Sequence, residues 1–177
     1  MKECQLRNGK TLLIREARVE DASQLVDYIQ KVGIESDYLT FGPGEFVLTV
    51  EEEEKLLRSK EGAENELMLC GFIDGKLVGN LSFLTGTRPR VRHTGEFGLS
   101  IVKEYWGLGV GTELLQYLLE WAQTSKVIRK INLRVRSDHD SAIKLYTKLG
   151  FVKEGLESRG LLIQGQFFDF VHMGLEI

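Results

Sequence analysis

With 177 residues, 42% of them hydrophobic and 28% charged, and a net charge of −3, the chain can bury one substantial core and has the composition of an ordinary globular domain. It has no basic tract to mark a nucleic-acid partner, and its longest apolar run, Leu67 to Ile73, is far too short to span a bilayer. The opening Met1-Lys2-Glu3-Cys4-Gln5 lacks the apolar core of a signal peptide, Cys4 and Cys70 make no disulfide framework, and His93, His139 and His172 have no metal-ligand spacing, so a cytoplasmic, metal-free protein is expected.

Thr11 to Glu16 is the first expected strand, and Glu20-Asp21 open a helix with Ala22, Leu25, Val26 and Ile29 on its apolar side. A turn-rich loop from Gly33 to Leu48 carries Tyr38 and Phe41, aromatics suited either to an acceptor pocket or to packing on the core. Thr49 and Glu52 form a capping box for a helix from Val50 to about Ser59. Glu66 to Asp74 and Lys76 to Leu84 are paired strands joined by a hairpin turn at Asp74-Gly75, and Cys70 within them reads as a buried small hydrophobe. Thr85 to Arg90 is a polar turn, followed by a long strand from Arg90 to Val102. A helix from Leu108 to about Ser125 follows, then a strand from Lys130 to Arg136 with Ile131, Leu133 and Val135 on one face. Asp138 to Leu149 is a helix stopped by Gly150, and Phe151 to Glu157 and Gln166 to Leu175 are two last strands joined through Gly160 and Gly165. Strands and helices mix without strict alternation in this single domain, so an α/β (α+β) protein with a mixed sheet is predicted.

The stretch between the long strand and the Leu108 helix carries the clearest chemistry. Gly107, Gly109 and Gly111 occupy alternate positions where a strand turns into a helix. Glycine permits positive φ and close approach, and the first turn of a helix presents unpaired N–H groups and the positive end of the dipole. Together these make an anion site, most often for phosphate. The ATP-type loop is excluded because no Lys follows Gly111, and the dinucleotide fingerprint fails because Thr112 stands where a third glycine is required.

Trp106-Gly107-Leu108-Gly109-Val110-Gly111 resembles the acetyl-CoA loop of the GNAT superfamily of N-acetyltransferases, [QR]-x-x-G-x-[GA], with Trp106 where Gln or Arg is usual. His139, Ala142, Leu145, Tyr146, Gly150 and Phe151 resemble a second GNAT signature, N-x-x-A-x-x-L-Y-x-x-x-G-F, with His139 in the Asn position. Gly165 to Met173 resembles the G-x-[YF]-x-D-x-x-x-M ending of small bacterial-type members. The resemblance covers nearly the whole chain. It implies a mixed, mostly antiparallel sheet splayed between the fourth and fifth predicted strands and flanked by about four helices.

By that resemblance acetyl-CoA is the co-substrate, and the acceptor is an amine of a small molecule or peptide, with neither nucleic acid nor membrane as partner. A homodimer is compatible with it. Leu99, Ser100 and Ile101 would hold the acyl end, through a strand bulge near Leu99-Ser100 that frees backbone groups for the pantetheine amides. Trp106, Gly107, Leu108, Gly109, Val110, Gly111 and Thr112 would hold the pyrophosphate, and His139, Ala142 and Tyr146 would line the pantetheine arm. Acetyl transfer from a thioester needs a neutral amine, a polarised carbonyl and a protonated leaving thiolate. Tyr146 is the candidate acid. Glu96, if partly buried on the groove side, is the candidate base, with Glu35 and Asp169 as runners-up. An acyl-CoA-sensing module without catalysis, kept open by Trp106 and His139, and a nucleotide-phosphate protein are the rival readings.

Overall fold

The computed structural model describes residues 1–177. Eight strands form one sheet: β1 (Lys2–Gln5), β2 (Thr11–Glu16), β3 (Leu67–Ile73), β4 (Lys76–Thr85), β5 (Thr94–Ile101), β6 (Lys130–Arg136), β7 (Val152–Ile163) and β8 (Gln166–Glu176). Four helices flank it: α1 (Ala22–Glu35), α2 (Val50–Lys60), α3 (Val110–Thr124) and α4 (Asp140–Lys148). The spatial order of strands is β1-β2-β3-β4-β5-β6-β8-β7, antiparallel throughout except for the parallel pair β5–β6. No helix is long and apolar enough to cross a membrane.

Alternation along the strands feeds two cores. Leu12, Ile14, Leu69, Leu81, Phe83 and Phe97 point to one face, where Leu114, Leu115 and Leu118 of α3 bury completely. Each such leucine contributes about 1.5–3 kcal/mol of transfer free energy. Cys70, Phe72 and Leu77 point to the other face and meet Ala22, Leu25, Tyr28 and Val32 of α1 and Leu57 of α2. The capping box at Thr49 forms as expected, with Thr49 Oγ1 accepting from Glu52 N–H and Glu52 Oε2 accepting from Thr49 N–H. Asp74 and Gly75 both take positive φ, 51° and 75°, in the β3–β4 hairpin.

The structure departs from the sequence reading at several ends. Lys2–Gln5 pairs with β2 as an edge strand, which shifts the count so that the splay falls between β5 and β6. Its alternation is only half-buried and too short to stand out. β7 runs to Ile163, so Gly160 lies inside the strand, at a register shift between Glu157 and Leu161, and Gln164-Gly165 alone make the turn. β5 begins at Thr94 because residues 89–93 form turns, with Val91 and Arg92 N–H groups both donating to Arg88 C=O. α3 starts at Val110, after a left-handed Gly109, and α4 at Asp140, with His139 in the cap position.

The expected bulge near Leu99-Ser100 is absent. β4 and β5 keep continuous register from Gly79↔Ile101 to Thr85↔Gly95. The freed backbone arises differently. β6 pairs with β5 only at Thr94↔Lys130, Gly95↔Ile131 and Glu96↔Asn132, then diverges. From Phe97 to Ile101, the backbone groups of β5 that face away from β4 have no strand to meet.

Candidate functional site

A cavity of about 740 Å³ runs through this divergence. On the α3 and α4 side it is walled by Leu99, Val110, Leu145 and Tyr146, and on the α1 side by Ser82, Leu84, Glu96, Arg134 and Phe170. The sheet is therefore perforated, and a group entering from one face can meet a group resting on the other.

The glycine turn forms one end. Gly107 and Gly109 adopt φ of 74° and 105°, conformations that an L side chain would strain. The first helical bond of α3 runs from Glu113 N–H to Gly109 C=O at 3.1 Å. The amides of Val110, Gly111 and Thr112 before it have no helical carbonyl to meet. Gly107, Gly109, Val110, Gly111 and Thr112 all line the cavity. Leu108 does not; it packs on the core and its carbonyl accepts from Arg7 N–H at 3.4 Å. Trp106 lines the cavity with its indole N–H donating to Ile101 C=O at 2.7 Å, so it braces the end of β5 against the turn. Arg7, from the β1–β2 hairpin, donates to Gly107 C=O at 3.3 Å and adds a guanidinium beside the turn.

Midway, Leu99, Ser100 and Ile101 present the unpaired stretch of β5. Ser100 is fixed by Tyr28, whose hydroxyl donates to Ser100 C=O at 2.6 Å and lies 3.0 Å from Ser100 Oγ. Burial pushes the Tyr28 phenol far above its ordinary value, so it stays a donor. Tyr146 stands across from this stretch on α4. Its ring packs edge-on against Phe97 and Phe151, with centroids 5.7 and 6.1 Å away. Its hydroxyl bonds to nothing in the chain, yet no buried side-chain oxygen lacks a partner, so the hydroxyl opens into the cavity. Burial pushes its pKa up to about 12, which keeps the proton on the phenol at any neutral pH.

The far end is built by the loop after α1. Tyr38, Leu39, Phe41 and Phe46 line the cavity there, so the loop aromatics do form a pocket wall. Arg136 is the anchor. It is 8% exposed, donates from Nε and a terminal nitrogen to Asp138 at 2.6 and 3.1 Å, and gives its other terminal nitrogen to Asp37 C=O at 2.9 Å. Tyr38 and Phe168 each lie 4.2 Å from its guanidinium carbon. His139 stacks on Tyr38 at 3.7 Å and contacts Ser141 Oγ through Nδ1 at 3.3 Å. Burial, reinforced by the Arg136 charge, lowers the His139 pKa, so the ring is neutral at pH 7 and has one nitrogen to donate and one to accept.

Glu96 lines the cavity but is exposed, not partly buried as the base argument required. Its Oε1 accepts from Arg134 Nε at 2.9 Å across the divergence. Glu35 and Asp169 stay outside the cavity wall, accepting from the backbone N–H of Lys103 and of Arg159 respectively, each at 2.8 Å. Ala142 lines the wall beside His139. The residues that sequence reasoning missed are Arg7, Arg134, Arg136 and Phe170. Alternation in Lys130–Arg136 already placed both later arginines opposite Leu133 and Val135, but only the apolar face drew notice.

The sequence profile of the Acetyltransferase (GNAT) family matches residues 27–151. L-amino acid N-acetyltransferase AaaT of Escherichia coli K12 is 32% identical over 108 residues, 61% of this chain and 65% of that relative, so the match spans just under two thirds of AaaT. A GNAT-family acetyltransferase from Streptococcus pneumoniae superposes with a TM-score of 0.91 at 39% identity, covering 94% of this chain and 99% of that one. YncA of Salmonella typhimurium, solved with its cofactor acetyl-CoA, shares the fold with a TM-score of 0.81 at 17% identity over 93% of each chain. A profile match across more than half the sequence, on a sheet that parts beside a glycine turn, leads to one conclusion: the chain belongs to the Acetyltransferase (GNAT) family.

Proposed function

We propose that this chain moves an acetyl group from acetyl-CoA directly to the primary amine of a small molecule or peptide. The observation that carries the reading is the through-sheet cavity, with an anion turn at one end, a proton donor at the waist and a carboxylate at the other end. The pyrophosphate sits on the amides of Val110, Gly111 and Thr112, where the helix dipole and unpaired N–H groups favour negative charge. Trp106 and Gly107 to Gly109 shape that turn, and Arg7 lies close enough to add a charged contact. The pantetheine arm lies in the gap left by β6, pairing with the backbone of Leu99 to Ile101 as an added strand would. His139 and Ala142 line the same arm, His139 in place of an amide side chain.

In the transfer step, the amine nitrogen attacks the thioester carbonyl carbon, and the carbon–sulfur bond breaks as the new amide forms. The amine proton passes to Glu96, directly or through water, on the strength of its place as the one carboxylate on the cavity wall rather than of burial, and the departing thiolate takes a proton from Tyr146. Backbone N–H groups of β5 stabilise the developing oxyanion. No covalent enzyme intermediate is needed: Cys70, the one fully buried thiol, lies in the α1-side core with its pKa pushed up to about 12 by burial.

The test pairs two measurements on one preparation. Calorimetric titration with CoA reads the donor site, and thiol release from acetyl-CoA with a panel of amines reads catalysis. Micromolar CoA binding with amine-dependent thiol release is expected. CoA binding without thiol release from any amine would leave only the sensing module.

A further inference from the structure

On the sheet face toward α1, strand alternation places Leu84 opposite Glu96, and Arg136 opposite Phe170, with Arg134 two residues before Arg136 on the same side. Glu96 and Arg134 meet at 2.9 Å through Oε1 and Nε, where β5 and β6 part, with 46% and 42% of their side-chain surface exposed. Only one bond joins them. The two terminal nitrogens of Arg134 and Oε2 of Glu96 make no hydrogen bond within the chain. Arg136 is not available in the same way, because Asp138 and the Asp37 carbonyl occupy its guanidinium. Glu96 is the only carboxylate on the cavity wall.

We propose that the Glu96–Arg134 pair recognises the α-ammonium and α-carboxylate of the acceptor, which is therefore a free α-amino acid with an apolar side chain. The inference rests on the acetyl-transfer reading and names its substrate class. Three observations narrow the choice. First, the two charges of the site are adjacent, and in an α-amino acid the nitrogen and the carboxyl carbon are only about 2.5 Å apart by covalent geometry. The carboxylate takes the open edge of Arg134 in a two-point bond, and the ammonium takes Glu96 Oε2. Second, a diamine would bring two positive charges to a wall with one carboxylate, where three arginines, Arg7, Arg134 and Arg136, also face the cavity. A peptide N-terminus would satisfy Glu96 but leave the Arg134 edge unpaired. Third, Leu84, opposite Glu96, and Phe46, elsewhere on the cavity wall, are 47% and 39% exposed, an apolar surface that an amino-acid side chain would cover. Glu96 then accepts the ammonium's first proton and, being 46% exposed, releases it to water before it accepts the second as the amide forms.

The experiment measures thiol release from acetyl-CoA with L-leucine and L-phenylalanine, with their C-terminal amides and with putrescine, for the wild type and for Arg134→Gln. The wild type is expected to prefer the free acids over the amides by about 10- to 100-fold in kcat/KM, the scale of a charge-assisted contact. Arg134→Gln should bring the acid-to-amide ratio of kcat/KM to about one, through a rise in KM for the acids. Arg134→Lys, which keeps the charge without the fork, should fall between. Equal or better use of the amides or of putrescine by the wild type overturns the proposal, as does an acid preference that survives Arg134→Gln. If Arg134→Gln does not fold, the wild-type ratio decides alone. Thiol release with the amides or putrescine only would overturn this inference and leave acetyl transfer standing. No release with any amine, despite bound CoA, would overturn both.

Discussion

Removing one oxygen from Tyr146 separates its chemistry from its packing. Tyr146→Phe keeps the ring and its edge contacts to Phe97 and Phe151, and it breaks no hydrogen bond within the chain. Stability should therefore stay within about 0.5 kcal/mol of the wild type. The catalytic cost follows from the proton. A turnover near the typical ~10 s⁻¹ corresponds to a barrier of about 16 kcal/mol. Moving a proton from a phenol held at about 12 to a thiolate of ordinary basicity, about 8.5, climbs about 5 kcal/mol, which fits within that barrier. The same burial that lifts the phenol lifts the thiolate, so the real climb is smaller. Without the donor, the thiolate must leave unprotonated or draw on water, and the chemical step should slow about 10²- to 10⁴-fold. Because the phenol holds its proton until near pH 12, the wild-type to mutant rate ratio should be flat from pH 6 to 9. The assay is single-turnover acetyl transfer by rapid quench, which keeps product release from masking the step. CoA affinity, measured separately, should barely change. Full single-turnover activity of Tyr146→Phe, or a ratio that drifts with pH in that window, would refute the assignment.

Three other outcomes are expected. Glu96→Gln should lower single-turnover acetyl transfer at neutral pH; an unchanged rate would move the base to a water chain. Gly109→Ala should weaken CoA binding, since Gly109 caps α3 at φ 105°, and should cost about 1–2 kcal/mol of stability from backbone strain; unchanged calorimetric affinity would contradict the turn's role. At alkaline pH the fold should weaken, because burial holds the Cys70 thiol at about 12 against 9.0 and the Tyr146 phenol at about 12 against 10.0. The unfolded chain releases these protons first, so stability is fully present below pH 9 and falls as pH rises, by roughly 3 kcal/mol from Cys70 and roughly 1 from Tyr146 at pH 11. Chemical denaturation between pH 8 and 11 reads this, and Cys70→Ala should remove its own share of the slope while Tyr28, Tyr146 and Cys4, all raised by burial, keep the rest.

Local signals revealed the elements and the donor end of the site. Glycines at 107, 109 and 111 and the Leu145-Tyr146 pair carry their chemistry in short stretches of chain, and they line the cavity together. The end of the cavity proposed for the acceptor depends on strands distant in sequence. Glu96 and Arg134 are 38 residues apart, and only the parting of β5 from β6 brings them face to face. Arg136 looked like one more strand charge until the loop carrying Tyr38 folded over it. The strand Lys2–Gln5 escaped notice because an edge strand of four residues has too few alternations to declare itself. The expected bulge does not form; β6 instead ends its pairing at Glu96, which leaves one edge of β5 without a neighbour strand.

The three-residue junction between β5 and β6 also governs how the molecule bears load. Five strands, β1 to β5, lie on one side of it and β6, β8 and β7 on the other, so the two ends of the chain sit in different halves. Tension between those ends would meet this seam as the shortest ladder of the sheet, three pairs against four for β1–β2 and for β2–β3. An acyl donor held in the gap, as proposed, would act as a mortise across the joint, tying β5 to α4. At a hundred times its dissociation constant it would add about 2.7 kcal/mol to the whole fold. On that placement the fold would be stiffer with its donor bound than without it.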